Sequence, residues 1–198
     1  MKNNHEFFEN NFKLKEDVFI LSDYDEYTEN FGKQWNKYNY TQIDSKNNFK
    51  ISFNLINELL FNNMSLMKNK NVLEIGSGAG RFTEIILKYA NSCTTIDMSA
   101  AIFSNVSKNN QNLSRIKADF ILLQSKKKYD LVICRGVLQH TPDPFKYLEK
   151  LFSFIKDDGL VIFDIYKMPK IKLFHPKYLI WRPLFLNFIN YSKCDRFL

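Results

Sequence analysis

Two kinds of apolar run divide this chain. Stretches with β-branched residues at 71–75, 92–96, 129–134 and 160–166 read as short buried strands, and a further strand is expected near 115–118. Between them the apolar spacing turns helical, as at Phe82, Ile85, Ile86 and Tyr89. Phe53, Ile56, Leu59 and Leu60 add a helical stripe from about residue 45 to 63. Residues 1–40 are polar and aromatic without a clean period, and no repeat or low-complexity linker interrupts the chain. Strands alternating with helices predict an α/β fold on a mainly parallel sheet of about five strands, with helices on both faces.

Chemistry concentrates where the first of those strands ends. Half of the six glycines fall within five residues, in Val72-Leu73-Glu74-Ile75-Gly76-Ser77-Gly78-Ala79-Gly80-Arg81-Phe82-Thr83. Strand, glycine turn and helix together aim backbone N–H groups at a ligand. Glycine suits such a turn because a Cβ would hold the ligand away and because tight turns often require positive φ. The spacing is not the dinucleotide fingerprint G-x-G-x-x-G/A. Its third glycine comes one position early, and Arg81 stands where a small residue is needed. Glu74, inside the strand, would repel a pyrophosphate but suits a ligand bearing a cationic ammonium and sulfonium. Cys93-Thr94-Thr95-Ile96-Asp97 follows as a second short strand ending in an acid, about twenty residues past the loop. An acid at that distance receives ribose hydroxyls in nucleotide-binding folds.

The glycine stretch resembles motif I of the class I S-adenosylmethionine-dependent methyltransferases, and later segments continue the likeness. Ala118-Asp119-Phe120 resembles the family's adenine-binding element. Tyr129 to Cys134, continued by Arg135-Gly136-Val137-Leu138-Gln139-His140-Thr141-Pro142-Asp143-Pro144, resembles its fourth strand and the signature after it. Asp157 to Asp164 resembles the turn into strand five. The resemblance implies a doubly wound sheet of order 3-2-1-4-5, counting the five core strands, with S-adenosylmethionine at the carboxyl ends of the strands. It implies that Glu74, Gly76, Ser77, Gly78, Gly80 and Arg81 form the loop side of the site. Asp97 would hold the ribose, Met98 would lie against the adenine, Asp119 and Phe120 would meet the adenine edge, and Cys134 would close the strand-four side. The reaction implied is methyl transfer to an O, N or C nucleophile of a small-molecule or saccharide- or lipid-linked acceptor. An inactive cofactor-binding module acting through a partner protein is the alternative.

Several of these residues have plainer readings. Asp97 before Met-Ser is an ordinary N-cap context, and an Asp after a strand, as at Asp119, is common turn chemistry. Arg81 either reaches the cofactor carboxylate or is a solvated residue of the first helical turn. His140 has a reference pKa suited to a general base, yet many methyl transfers run on alignment alone, so the catalytic residues are left unassigned. Nothing in the sequence resembles a metal site.

Composition fits one domain of 198 residues, with 45% hydrophobic and 16% aromatic residues and 19 Phe to fill a core. It divides into an N-terminal cap and helix at 1–69, a cofactor-binding core at 70–166 and a basic aromatic tail at 167–198. The three cysteines are far apart and the N-terminus lacks a signal-peptide core, so a reduced cytoplasmic protein is expected. A net charge of +7 comes from lysines scattered along the chain, which is no nucleic-acid signature. The tail interleaves Lys170, Lys172, Lys177, Arg182, Lys193 and Arg196 with Phe174, Tyr178, Trp181, Phe185 and Phe188. That pattern reads as peripheral membrane contact or as a helix packing its aromatic face inward. Phe31-Gly32-Lys33-Gln34-Trp35 resembles a segment that lies over the cofactor in some bacterial methyltransferases, making Gln34 and Trp35 candidate lid residues. The antiparallel pair that usually follows strand five is expected to be missing, which would leave an apolar edge prone to self-association.

Overall fold

In the computed structural model, which describes residues 4–21, 42–48 and 50–165, seven strands form one sheet. They are β1 Lys13–Lys15, β2 Val18–Ile20, β3 Asn71–Ile75, β4 Ser92–Asp97, β5 Leu113–Lys117, β6 Tyr129–Cys134 and β7 Ile155–Phe163. Their spatial order is β1-β2-β5-β4-β3-β6-β7. The five core strands are parallel and follow the expected order, and the direction of winding reverses between β3 and β6. β2 adds a further parallel neighbour to β5, and β1 pairs with β2 antiparallel. The count of about five is therefore corrected to seven, because an aromatic and charged segment without visible period supplies a hairpin.

That hairpin is anchored by a buried cation. Lys15 pairs with Val18, so Glu16 and Asp17 form the turn, with φ of 51° and 58°. Two-residue turns with both φ positive favour Asn-Gly or Asp-Gly, and neither is present. Arg115 of β5 compensates: its Nη2 donates to the Glu16 carbonyl at 2.8 Å, and the residue is 5% exposed. Burial lowers the Arg115 pKa, while the charges of Asp17 and Glu16 oppose that shift. β1 ends the sheet with three exposed residues, two of them lysines, which discourages further strand pairing.

Side chains alternate across the sheet. Val72, Cys93, Leu131 and Ile133 point to one face, where Ile56, Leu60, Met67, Ile85 and Ile86 cover them. Those residues come from α2 Ile51–Leu59, α3 Thr83–Tyr89 and the short stretch after α2, with α1 Asp44–Asn47 preceding them. The single helix expected over 45–63 is thus two. Asn48 adopts a left-handed φ of 56° and ends α1, and both Asp44 carboxylate oxygens accept backbone N–H groups of Ser52 and Phe53 at the start of α2.

Leu73, Ile75, Ile96, Ile116, Val132 and Cys134 point to the other face. α4 Pro144–Phe152 covers part of it, but the helices expected between the strands on this side are absent. A 3-10 turn at Ala100–Ser104 joins β4 to β5, and another at Phe120–Leu122 precedes β6. Residues 5–12 fill the space instead. Phe7 stacks on Tyr129 with centroids 4.3 Å apart, and Phe8 meets Phe154 edge-on at 5.7 Å. The Phe7 carbonyl accepts from Lys126 N, and Glu9 N donates to the Gln124 carbonyl. His5 lies among the rings of Phe7, Phe8, Phe12 and Phe19. Its Nδ1 accepts from Phe7 N, so Nε2 carries the proton and donates to Ser114 Oγ at 2.8 Å. Burial holds its pKa down at about 4, with the charge of Glu6 opposing.

β7 is longer than expected at its start. It begins at Ile155 and not at 160, and its register to β6 slips between Tyr129 and Leu131, so Lys156 to Gly159 run within the strand rather than turning into it. Among the described residues no helix is long and apolar enough to cross a membrane. The basic tail, Gln34 and Trp35 lie outside the described residues, as does the segment on which the expected loss of an antiparallel pair rests.

Candidate functional site

The glycine loop leaves β3 at the point where the sheet order reverses, the place where open α/β sheets bind ligands. Gly76, Gly78 and Gly80 all have positive φ, at 79°, 52° and 94°. The nearest obstacles to a side chain there are protein atoms. A Cβ on Gly76 would collide with Val137 in the loop after β6, and one on Gly80 with the Asn105 amide. These two glycines therefore also allow close packing of the loops.

Asp97 clamps the loop from the end of β4. Its Oδ2 accepts from Gly78 N at 2.7 Å, and Oδ1 accepts from Ser99 N and Ser99 Oγ at 2.8 and 2.6 Å. A carboxylate has about four acceptor sites, so three are in use and one remains. The cap of the next turn is Ser99 itself, whose Oγ accepts from Ala101 N. Met98 is half-buried beside them. Ser77 is 4% exposed, and its Oγ has no hydrogen-bond partner. Buried hydroxyls are rarely left without a partner, and with the Ser77 and Ala79 N–H groups this one fits a polar cofactor there.

Glu74 lies beneath the loop at 2% exposure. Thr83 Oγ1, in the first turn of α3, donates to its Oε2 at 2.5 Å and in turn accepts from Asn105 Nδ2 at 3.1 Å. Burial raises the Glu74 pKa to about 7; the Thr83 hydrogen bond opposes this and the charge of Asp97 adds to it. Sequence reasoning missed Thr83 and Asn105, because neither residue type is distinctive until the fold brings the two loops together.

Arg81 turns toward the N-terminal helices. Its Nε donates to Ser52 Oγ at 2.9 Å and Nη1 to Gln42 Oε1 at 3.0 Å. On the far side, Asp119 caps the 3-10 turn through Ile121 N and accepts from the Tyr147 hydroxyl at 2.6 Å. Burial and the neighbouring Asp119 both push the Tyr147 pKa up. Phe120 is buried edge-on against the Tyr147 ring at 5.0 Å. Cys134 is fully buried at the end of β6, and burial pushes its thiol up to about 12.

The loop after β6 closes the site. A 3-10 turn at Leu138–His140 leaves His140 exposed. Asp143 then caps α4 by accepting from Lys146 N, with Pro144 at the first helical position. The Asp-Pro of the sequence signature is thus a helix start. Within the loop the Gln139 side-chain amide is buried with no partner at either atom. Among the described residues no group of three or more His, Cys, Asp or Glu could hold a metal.

Comparison with known proteins agrees with this geometry. A family model described as a methyltransferase domain matches residues 46–184. The ubiquinone biosynthesis O-methyltransferase of Coxiella burnetii is 28% identical over 104 residues, 50% of this chain and 44% of the relative. Malonyl-(acyl-carrier protein) O-methyltransferase 2 of Ilyobacter polytropus is 36% identical over 101 residues, 48% of this chain and 39% of the relative. The chain thus spans less than half the length of these two curated relatives. A solved DhpI-SAM-HEP complex shares the fold with a TM-score of 0.54 at 20% identity, covering 75% of this chain and 68% of that one. The chain belongs to the methyltransferase-domain family, the class I S-adenosylmethionine-dependent methyltransferases.

Proposed function

We propose that this chain binds S-adenosylmethionine on the loop Gly76 to Gly80 and transfers its methyl group to a nucleophilic O, N or C atom of a small molecule or a saccharide- or lipid-linked acceptor. The observation that carries this reading is the clamp of Asp97 on Gly78, which fixes the glycine loop at the switch between β3 and β6. Ser77 Oγ, the Ser77 and Ala79 N–H groups and the remaining acceptor site of Asp97 would hold the polar parts of the cofactor, the Gly76, Gly78 and Gly80 N–H groups being bonded within the chain. Met98, Asp119 and Phe120 would flank its base, and Cys134 would pack below the reacting centre. When bound, the cofactor supplies a methyl sulfonium, already a good electrophile. The chain's part is then alignment and exclusion of water, which in well-oriented systems is worth roughly 7–11 kcal/mol. The exposed His140 sits on the loop where an acceptor proton could be taken. Buried free thiols at Cys93 and Cys134 suit a cytoplasmic setting.

One observation favours the alternative of a binding module acting through a partner: three of the four acceptor positions on Asp97 are spent inside the protein. Calorimetry with S-adenosylhomocysteine and NAD, followed by turnover with candidate acceptors, separates the readings. Homocysteine-form cofactor should bind in the micromolar range and NAD should not. Asp97→Ala should weaken that binding about tenfold to a hundredfold, as expected for loss of charge-assisted hydrogen bonds worth about 1.5–3 kcal/mol. An unchanged affinity would end the assignment of Asp97.

A further inference from the structure

Arg135 is the first residue after β6, and its backbone carbonyl lies 3.9 Å from where a Cβ on Gly76 would sit. Its Nε donates to Asp164 Oδ2 at 3.1 Å, and the other Asp164 oxygen accepts from Gly136 N. Asp164 therefore grips the guanidinium by a single N–H. Arginine carries five such donors in a planar fork, and Nη1 and Nη2 donate to no described residue. The two side chains are 21% and 24% exposed, so the free end of the fork is only partly hydrated. Phe82 lies 5.7 Å from the Arg135 Cζ and 5.0 Å from that of Arg81. Two guanidiniums thus meet around one ring beside the glycine loop. Arg81 is committed to Ser52 and Gln42, whereas Arg135 has its pair of terminal nitrogens to offer. The same loop carries the unpartnered Gln139 amide, a second polar group that nothing in the chain satisfies.

We propose that Arg135 recognises an anionic group of the methyl acceptor, so that the acceptor class carries a carboxylate or a phosphate. This rests on the methyl-transfer reading above. A half-buried guanidinium with both terminal nitrogens available matches the bidentate geometry of those groups. Asp164 acts as a positioning residue by fixing the fork from its Nε edge.

The test uses the full chain as wild type, Arg135→Gln and Arg135→Lys, with circular dichroism to establish folding. The lysine variant keeps the cation and its pairing with Asp164 but lacks the fork. Calorimetry first measures S-adenosylhomocysteine and 5′-methylthioadenosine, which lacks the amino-acid part. The S-adenosylhomocysteine complex is then titrated with inorganic phosphate and with acetate against chloride of equal ionic strength, followed by thermal shift. The expected result is cofactor affinity within threefold across all three proteins, with saturable stabilisation by phosphate or acetate in wild type. Both variants should weaken that anion response at least tenfold. A tenfold loss of S-adenosylhomocysteine affinity in Arg135→Gln, with 5′-methylthioadenosine unchanged, would assign the arginine to the cofactor and overturn the proposal. An anion response equal in wild type and Arg135→Gln would overturn it as well. Failure of wild type to bind S-adenosylhomocysteine sinks the methyl-transfer reading itself, a separate outcome seen in the first titration.

Discussion

On one face of the sheet, α2 and α3 bury Ile56, Ile85 and Ile86 through contacts that each helix organises from its own short stretch of chain. On the other, Phe7 and Phe8 arrive from the N-terminal segment and pack on Tyr129 and Phe154, more than a hundred residues away, with Phe12 against Phe19 beside them. Both faces end up equally dry, yet one rests on local periodicity and the other on a few large rings placed by long-range pairing. Aromatic side chains bury much area each and need no helix to present them.

The comparison can be broken most directly by truncation. Phe8→Ala should cost about 3–5 kcal/mol and Ile56→Ala about 2–5 kcal/mol in urea unfolding. Phe8 should be the worse of the two, since the larger side chain takes more buried apolar surface with it. If Phe8→Ala costs under 1 kcal/mol, the aromatic segment is not part of the folded core.

Each face also buries a group that titrates between about pH 4 and 7, and their pH dependences have opposite sign. The folded pKa of His5 lies near 4, below the ordinary 6.5, so its contribution is complete above about pH 6.5 and lost as pH falls toward 4. Glu74 lies near 7, above its ordinary 4.5, so its contribution is complete below about pH 4.5 and lost as pH rises toward 7. Each is worth at most about 3 kcal/mol, and in wild type they largely offset one another. Glu74→Gln should therefore expose stability that rises with pH, and His5→Gln stability that falls, in denaturation midpoints measured from pH 4.5 to 7. Matching profiles in both variants would show that the two burials do not control titration. The smallest effect should come from the helix cap outside both clusters. Asp143→Ala should lower stability by about 1 kcal/mol, and no change would mean that Pro144 alone starts α4.

This contrast also explains what could be read from the chain. Strands β3, β4 and β6 were legible because apolar runs with β-branched residues announce themselves, as were α3 and the glycine turn between them. Residues 5–20 were not, because their partners at Arg115, Ser114 and Gln124 are remote and no local period marks them. The site divides in the same way. Gly76, Gly80 and Asp97 were found by spacing, but the close approach of Gly76 to Val137 and of Gly80 to Asn105 was not. The Glu74–Thr83–Asn105 network and the tether of Asp119 to Tyr147 exist only where separate loops meet.

The hydrogen bond from His5 to Ser114 spans 109 residues. During synthesis the N-terminal rings thus leave the ribosome long before the strand that receives them. At about 5–20 residues per second that interval is on the order of 5–20 s. For that time Phe7, Phe8 and Phe12 are without the strands that bury them, and a segment made before its partners has to wait for them. A chain stalled with residue 100 just emerged should be cut readily by protease near Phe8, and one stalled well past residue 165 should resist. Early resistance would mean that these rings find a provisional partner first.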